Sequence, residues 1–544
     1  MSGDRALVSA SGFFDGAWYR KTYQAAENNK HDAAADYLRH AVSLGHDPGP
    51  DFSSEWYLQT YPDVAAAGMN PLVHFLRHGF AEGRLPKPYR AHALEVKLLG
   101  SDDRAADELE RLMSDSGAVP AERCLAAWAL ARWWASEGRS ADVLTALDMF
   151  EEVAMSAGAD TFVPQRPALA PVLLRFSALC ALGRRDDAAT LLDITVARHG
   201  ECPDLLLARV NWLRLFRPER FNEVLHYLDR LYRFPAQASS VHLSLRDSGQ
   251  LLGLDNLHGQ VGTASISLFR KLTARLAGRA ATPTVSVIIP AYNAGATIAT
   301  ALRALWNQSW PALEVIVVDD ASTDDTAAVV QTVVEAWQRA SREGRSLRLI
   351  THARNQGAYA ARNSGLAAAA GAFITTHDAD DWSHPLKIAL QVQTLLRDRG
   401  CQASVSHWVR CSAELVFGRW RVDDGWTYPN VSSLMFRRSV FERLGFWDRV
   451  SVGADTEYYY RILRCYGQAA ITEVQPGVPL TFGRIDPRSL TQRSETHLRT
   501  QFGGVRRDYE DAFRRWHAAA ADDELYVTER PEERPFAAPP GICR

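Results

Sequence analysis

The stretch VSVIIPAYNAGATIATALRALWNQSWPALEVIVVDD, residues 285–320, switches period twice. VSVIIPAY (285–292) is a continuous apolar, β-branched run, the pattern of a strand buried on both faces. ATIATALRALWNQSW (296–310) puts Ile298, Leu302, Leu305 and Trp306 on one helical face. LEVIVVDD (313–320) returns to the strand pattern. The alternation continues through TAAVVQTVVEAWQRA (326–340), LRLITHA (347–353), AYAARNSGLAAAA (358–370) and AFITTHD (372–378). Strands alternating with helices predict a mostly parallel, doubly wound α/β sheet. Ligands of such sheets bind at the carboxyl ends of the strands. The polar clusters fall there: PAYN after the first strand, DDAST after the second and DADD after the fourth.

The segment ITTHDADDW (374–382) has three aspartates in four positions. A D-x-D at a strand end aims Asp378 and Asp380 at one point. Hard cations such as Mg²⁺ or Mn²⁺ take oxygen ligands and bridge to diphosphates. A bare acidic turn capping the next helix would read the same way in isolation. At the second strand end, one carboxylate of Asp319 and Asp320 is placed to accept hydrogen bonds from a nucleobase or ribose, whereas STDDT reads as helix capping by Ser322, Asp324 and Asp325. In VGADTEYYYRILRCYG (452–467), Asp455 precedes an amphipathic helix. It reads as an N-cap or as a general base that removes a hydroxyl proton.

Together these segments, with SSLMFRRSVFERLGFWD (432–448) and GADTEYYYRI (453–462), resemble a family 2 glycosyltransferase with the GT-A fold. The resemblance covers about 284–492. It implies transfer of a sugar from a UDP- or GDP-sugar, with inversion at the anomeric carbon and Mn²⁺ or Mg²⁺ as cofactor. By position it assigns Pro290, Tyr292 and Asp320 to the nucleotide loops and Arg362 and Asn363 to the donor. Asp378 and Asp380 become the metal–diphosphate grip. Asp381 supports the acceptor or the surrounding shell. Asp455 is the base, with nearby Glu457 as its substitute. The segment TFGRIDPRSLTQ (481–492) resembles the family's Arg-x-His-x-x-Ser pattern, with Asp486 where histidine is common, which makes Asp486 a third metal-ligand candidate. The chain has no Gln-x-x-Arg-Trp motif, which argues against a polymer-extruding synthase. His377 and His407 read as structural. Trp382 and Trp408 read as core residues or as platforms for a sugar face.

The rest of the chain reads as all-α. FDGAWYRKTY (14–23) matches FSSEWYLQTY (52–61), and YLRH (37–40) matches FLRH (75–78), each offset by 38 residues. A fixed period of this size marks stacked supersecondary units. This module resembles one found beside bacterial polysaccharide glycosyltransferases. The expected organisation is 1–92 repeat module, 93–235 tetratricopeptide-like helices, 236–283 linker with one helix, 284–497 GT-A domain, and 498–544 helix with a disordered tail. The repeats are expected to bind the acceptor (a glycan or lipid-linked glycan), a protein partner or another copy of the chain.

At 544 residues the chain is too long for one core. A net charge of −3 advertises no nucleic-acid partner. Seven scattered cysteines without a CxxC are expected to be reduced thiols. No basic-then-apolar leader begins the chain, and no run reaches the about 18–20 apolar residues that cross a bilayer. These features lead to an expectation of a cytoplasmic enzyme, or one peripheral at the inner membrane, in surface polysaccharide synthesis. Two rivals differ in class. One is a helical-repeat scaffold with a decayed transferase domain, which the retained DAD, ARN and GADTE argue against. The other is a nucleotidyltransferase, which would carry a basic Gly-rich loop that PAYNAGAT lacks.

Overall fold

A computed structural model describes residues 2–23, 32–100, 102–157, 162–164, 169–232, 241–245, 253–261, 282–340, 343–486, 489, 494–531 and 533–544. The chain divides into two compact units. One is Met1–Arg184 with Arg421–Asp424, and the other is Arg185–Trp420 with Gly425–Arg544. The division falls inside the helical stretch expected over 93–235.

The described residues of the first unit are helical, from Ser2–Ala10 to Ala170–Ala181. An aromatic core of Tyr19, Tyr37, Phe52, Tyr57 and Phe75, each almost fully buried, holds its N-terminal part. Hydrogen bonds recur there at the offset of the sequence repeat. Asp15 N–H donates to Pro48 O at 3.0 Å, and Ser53 N–H to Pro86 O at 2.9 Å. Asp47 N–H donates to the Tyr23 hydroxyl at 2.8 Å, and Leu85 N–H to that of Tyr61 at 2.9 Å. The tyrosines are therefore anchors for the following loops.

In the second unit the helices Arg185–His199, Pro203–Phe216 and Phe221–Arg230 precede the sheet, and Pro203–Phe216 packs on it. The Asn211 side-chain amide donates to Phe417 O and accepts from Phe417 N–H, both at 2.7 Å. Asp204 accepts from the N–H groups of Trp426 and Thr427. The linker expected at 236–283 contains a two-stranded antiparallel sheet, β1 (Val241–Leu245) and β2 (Leu257–Val261). The helix expected there lies outside the described residues.

The main sheet uses β3 (Val285–Ala291), β4 (Leu313–Asp319), β5 (Arg345–Thr351), β6 (Phe373–Thr376), β7 (Trp382–Ser383), β8 (Ala403–Cys411), β9 (Phe417–Gly418), β10 (Tyr428–Pro429), β11 (Met435–Arg437) and β12 (Ile471–Arg484). The order is β5-β4-β3-β6-β11-β8-β12-β7, with β9 and β10 on β8. The long ladders β3–β4, β4–β5, β3–β6 and β8–β12 are parallel. Short antiparallel β11 joins the two halves between β6 and β8.

β3 matches its sequence signature. Val285, Val287, Ile288 and Ile289 are at most 1% exposed. Burial of such side chains contributes about 1.5–3 kcal/mol each. The helix Ala358–Ala368 lies close over β3 through Gly365. A Cβ on Gly365 would meet Ile288 Cγ2 at 2.4 Å, so no larger residue fits.

The C-terminal residues differ from the expected disorder. Val527 bridges Gly445, Cys543 bridges Val450, and Arg534 donates to Asp448 at 2.7 Å. Leu525, Val527, Phe536 and Ile542 are buried. These single apolar anchors, spaced among charges and prolines, fix the segment without forming a periodic pattern.

Candidate active site

Register aligns the strand ends. Ala291 of β3 faces Asp319 of β4, which faces Thr351 of β5. The loops after β3 and β4 lock together: Thr323 N–H donates to Asn293 Oδ1 at 2.8 Å and Gly295 N–H to Asp324 at 3.0 Å. Asn293 (φ 50°) and Ala321 (φ 60°) take left-handed backbone there, a strain of order 1–3 kcal/mol that concentrates at functional loops. Asp324 also accepts from Thr326 N–H at 3.0 Å, the capping role read from STDDT. Pro290 lies near the end of β3, and Tyr292 follows it with half its surface open.

Asp320 is 3% exposed and turned inward. It accepts the N–H of Gln356 at 2.9 Å and of Gly357 at 2.7 Å, and pairs with His352 Nδ1 at 2.7 Å. Its carboxylate thus ties the loop after β4 to the loop after β5. The sequence offered no signal for His352, which follows β5 in an ordinary-looking THA.

The helix Ala358–Ala368 connects the remaining groups. Arg362, buried, donates to Asp378 Oδ1 at 2.9 Å. Its guanidinium lies 4.9 Å from the centre of the Tyr359 ring. The Tyr359 hydroxyl donates to Asp455 Oδ1 at 2.8 Å. Burial, then the Asp455 charge, pushes the Tyr359 phenol well up, so it stays a donor. Asp455 is the second residue of the helix Ala454–Tyr466, and the N-cap position expected for it is taken by Gly453, whose φ of 90° suits glycine. Arg506, from the helix Val505–Ala519, lies close enough to feel Tyr359 and Asp455. No motif marked it.

At the end of β6, burial and then the Asp378 charge raise the Asp380 carboxyl to about 6. Arg410 and Arg484 oppose that rise. Asp381 is buried and accepts Arg484 N–H at 3.0 Å, while Arg484 Nε donates to Asp380 O at 3.2 Å. Asp381 therefore braces the D-x-D turn from beneath. Burial, then Asp380 and Asp378, drives its carboxyl well up. Lys387, 2% exposed, adds a cation within reach of Asp381 and Asp378, its own pKa lowered by burial to about 8.

Other expected site residues are used differently. Asn363 is 1% exposed and clamps Trp447, donating to its O at 2.8 Å and accepting its N–H at 3.1 Å. It fixes the helix and has no exposed surface for a donor. Glu457, fully buried, pairs with Arg461 at 3.0 Å and His517 at 2.9 Å. Those partners hold it in the core, away from a substitute base's role. Asp486 O accepts Ser489 N–H at 2.9 Å. Among the described residues, no group of three His, Cys, Asp or Glu side chains comes together to hold a metal, so Asp486 does not complete a set with Asp378 and Asp380. Residues 487–488 and 490–492 of that motif lie outside the described residues. Trp382 packs in the core against Phe482, ring centres 4.9 Å apart. His377 and His407 are hydrogen-bonded structural residues.

Asp378 and Asp380 offer hard oxygen donors, and the Asp378 charge, which after burial raises the Asp380 carboxyl, is one that a cation would offset. Asp378 and Asp380 would hold a divalent ion, with phosphate and water as its remaining ligands.

Residues 286–445 match the family described as Glycosyl transferase family 2. Two relatives of this family 2 domain illustrate the match. The Uncharacterized glycosyltransferase YibD of Escherichia coli (strain K12) is 36% identical over 114 residues, 21% of this chain and 31% of that protein. The Probable glycosyltransferase YdaM of Bacillus subtilis (strain 168) is 30% identical over 201 residues, 33% of this chain and 46% of that protein. The chain thus spans less than half the length of either relative. Among solved structures, the mannosyltransferase PcManGT from Pyrobaculum calidifontis, in complex with GDP-Man and Mn²⁺, is 22% identical, covering 42% of this chain and 73% of that one, with a TM-score of 0.31. No described helix is long and apolar enough to cross a membrane.

Proposed function

We propose that the family 2 domain is an inverting, metal-dependent glycosyltransferase that moves a sugar from a UDP- or GDP-sugar to a glycan acceptor in bacterial surface polysaccharide synthesis. One observation carries the reading. A single helix links the D-x-D to the candidate base, through Arg362 to Asp378 and through Tyr359 to Asp455. A solvated acidic turn has no reason to be coupled in this way.

In this reading Asp378 and Asp380 hold the cation, with Arg362 fixing the rotamer of Asp378. A bound Mn²⁺ or Mg²⁺ supplies positive charge against the departing diphosphate. Tyr359 and the Thr456 N–H both donate to Asp455 Oδ1, which leaves Oδ2 for the acceptor hydroxyl. Asp455 takes that proton as the acceptor oxygen bonds to the anomeric carbon. The bond from that carbon to the diphosphate oxygen breaks on the opposite face, which inverts the centre. Tyr292 and the loop tied by Asp320 flank the nucleotide.

The test is nucleotide release from a panel of UDP- and GDP-sugars, with Mn²⁺, with Mg²⁺ and with chelator. One donor is turned over only with metal, and Asp380→Ala abolishes it. Turnover that survives both chelator and Asp380→Ala would refute the reading.

A further inference from the structure

The first unit contains a cavity of about 460 Å³. That volume lies within the roughly 300–1,000 Å³ of small-molecule sites. Two loops displaced by the repeat offset line it, one through Gly49 and Pro50 and the other through Lys87 and Pro88. Each is held by the matching backbone hydrogen bonds from Asp15 and Ser53. Glu122, also in the lining, caps the helix Arg90–Leu99, accepting the N–H groups of Arg90 and Ala91 at 2.8 Å each. The walls are thus bonded in place before any ligand arrives.

The lining combines flat apolar surfaces with a few polar groups. Trp18 and Tyr89 supply aromatic rings, and Pro50 and Pro88 supply C–H surface. Asp47 and Glu122 keep lone pairs beyond those used by Ser54 N–H and by the helix cap. The Lys87 ammonium donates to Asp51 at 2.8 Å and to Pro50 O at 3.3 Å, and has a third N–H to offer. Two carboxyl groups against one paired ammonium give no excess positive charge for a phosphate or nucleotide. A pyranose ring has the complementary form: an apolar C–H face for an aromatic ring and hydroxyl edges for carboxylates and an ammonium.

We propose that this cavity binds a neutral pyranose-based segment of a glycan, at a site separate from the transferase chemistry. The choice of a glycan as natural ligand rests on the transferase reading; the chemistry of the cavity does not.

The experiment is calorimetry on the full chain with neutral oligosaccharides built from glucose, galactose, mannose, rhamnose or N-acetylhexosamines. One series binds, and binds equally to Asp380→Ala. Trp18→Ala weakens it by at least about tenfold, as expected when an aromatic anchor is lost. Val119→Trp, which fills the cavity from a position 56% exposed, does the same with an unchanged melting temperature. The proposal is overturned if no series binds, or if binding is the same in Val119→Trp. Nucleotide release, measured in parallel, separates the two ideas. Binding blocked by Val119→Trp without donor turnover sinks the transferase reading alone. Donor turnover without such binding sinks the cavity.

Discussion

The end of β6 and the buried flank of the helix Ala454–Tyr466 both cluster carboxylates, half-buried at Asp378 and Asp380 and fully buried at Glu457. On the helix flank, Glu457 is paired with Arg461 and His517, and Arg461 also donates to three backbone carbonyls. Nearby Asp448 has Arg534 and the Tyr509 hydroxyl. At β6, Asp380 has no ion pair among the described residues, and its neighbours Asp378 and Asp381 add negative charge. Isolated buried charge costs several kcal/mol, so a fold keeps it unpaired only where something else completes it. Under the proposed function, the difference separates acid that builds the unit from acid held ready for a ligand.

Two carboxylates on one helix test that distinction with the largest effects. Asp455→Asn lowers transfer by about 10²–10⁴-fold, the usual contribution of a general base. Its urea midpoint stays where it was. Glu457→Gln costs about 3–5 kcal/mol of stability by stranding Arg461, while the protein that remains folded keeps its turnover. If Glu457→Gln instead cuts turnover at unchanged stability, the comparison collapses.

A smaller effect comes from pH. Burial, then the Lys387 charge, lowers the His377 pKa from 6.5 to about 4. Between those values the unfolded chain binds a proton that the folded one does not. The contribution of His377 is therefore full above about pH 6.5 and falls away towards pH 4, by at most about 3 kcal/mol. The measurement is the difference in urea stability between wild type and His377→Asn against pH. Taking the difference cancels the opposing contribution of Asp380, whose raised pKa favours the folded state at low pH. A difference that stays flat from pH 7 to 4 means the ring is not held neutral.

The smallest change sharpens the link across the site. Tyr359→Phe removes one hydrogen bond to a charged group, about 1.5–3 kcal/mol. Transfer falls about tenfold, with the donor KM unchanged. A shifted donor KM with constant kcat would move Tyr359 from the base to the nucleotide.

The alternating periods at 285–320 made the parallel half of the sheet legible, and the D-x-D at a strand end made the acidic cluster legible. What escaped was set by distant partners. Asn363 and Trp447 are 84 residues apart, and Glu457 and His517 are 60 apart. No local spacing says which polar residue of ARN or GADTE turns inward. β1 and β2 are five residues each and carry no long apolar run. The C-terminal anchors are single residues among charges, which composition alone reads as disorder.

Gly365 bears on all of this without touching any of the chemistry. Arg362 and Tyr359 ride on the helix that it seats against Ile288. The separation between the two ends of the site is thus inherited from an apolar contact. A lineage that lost this glycine would need to trim Ile288 in step, or the helix would rise and carry both polar links away together. The pair 288 and 365 is where selection on reactivity would register as selection on shape.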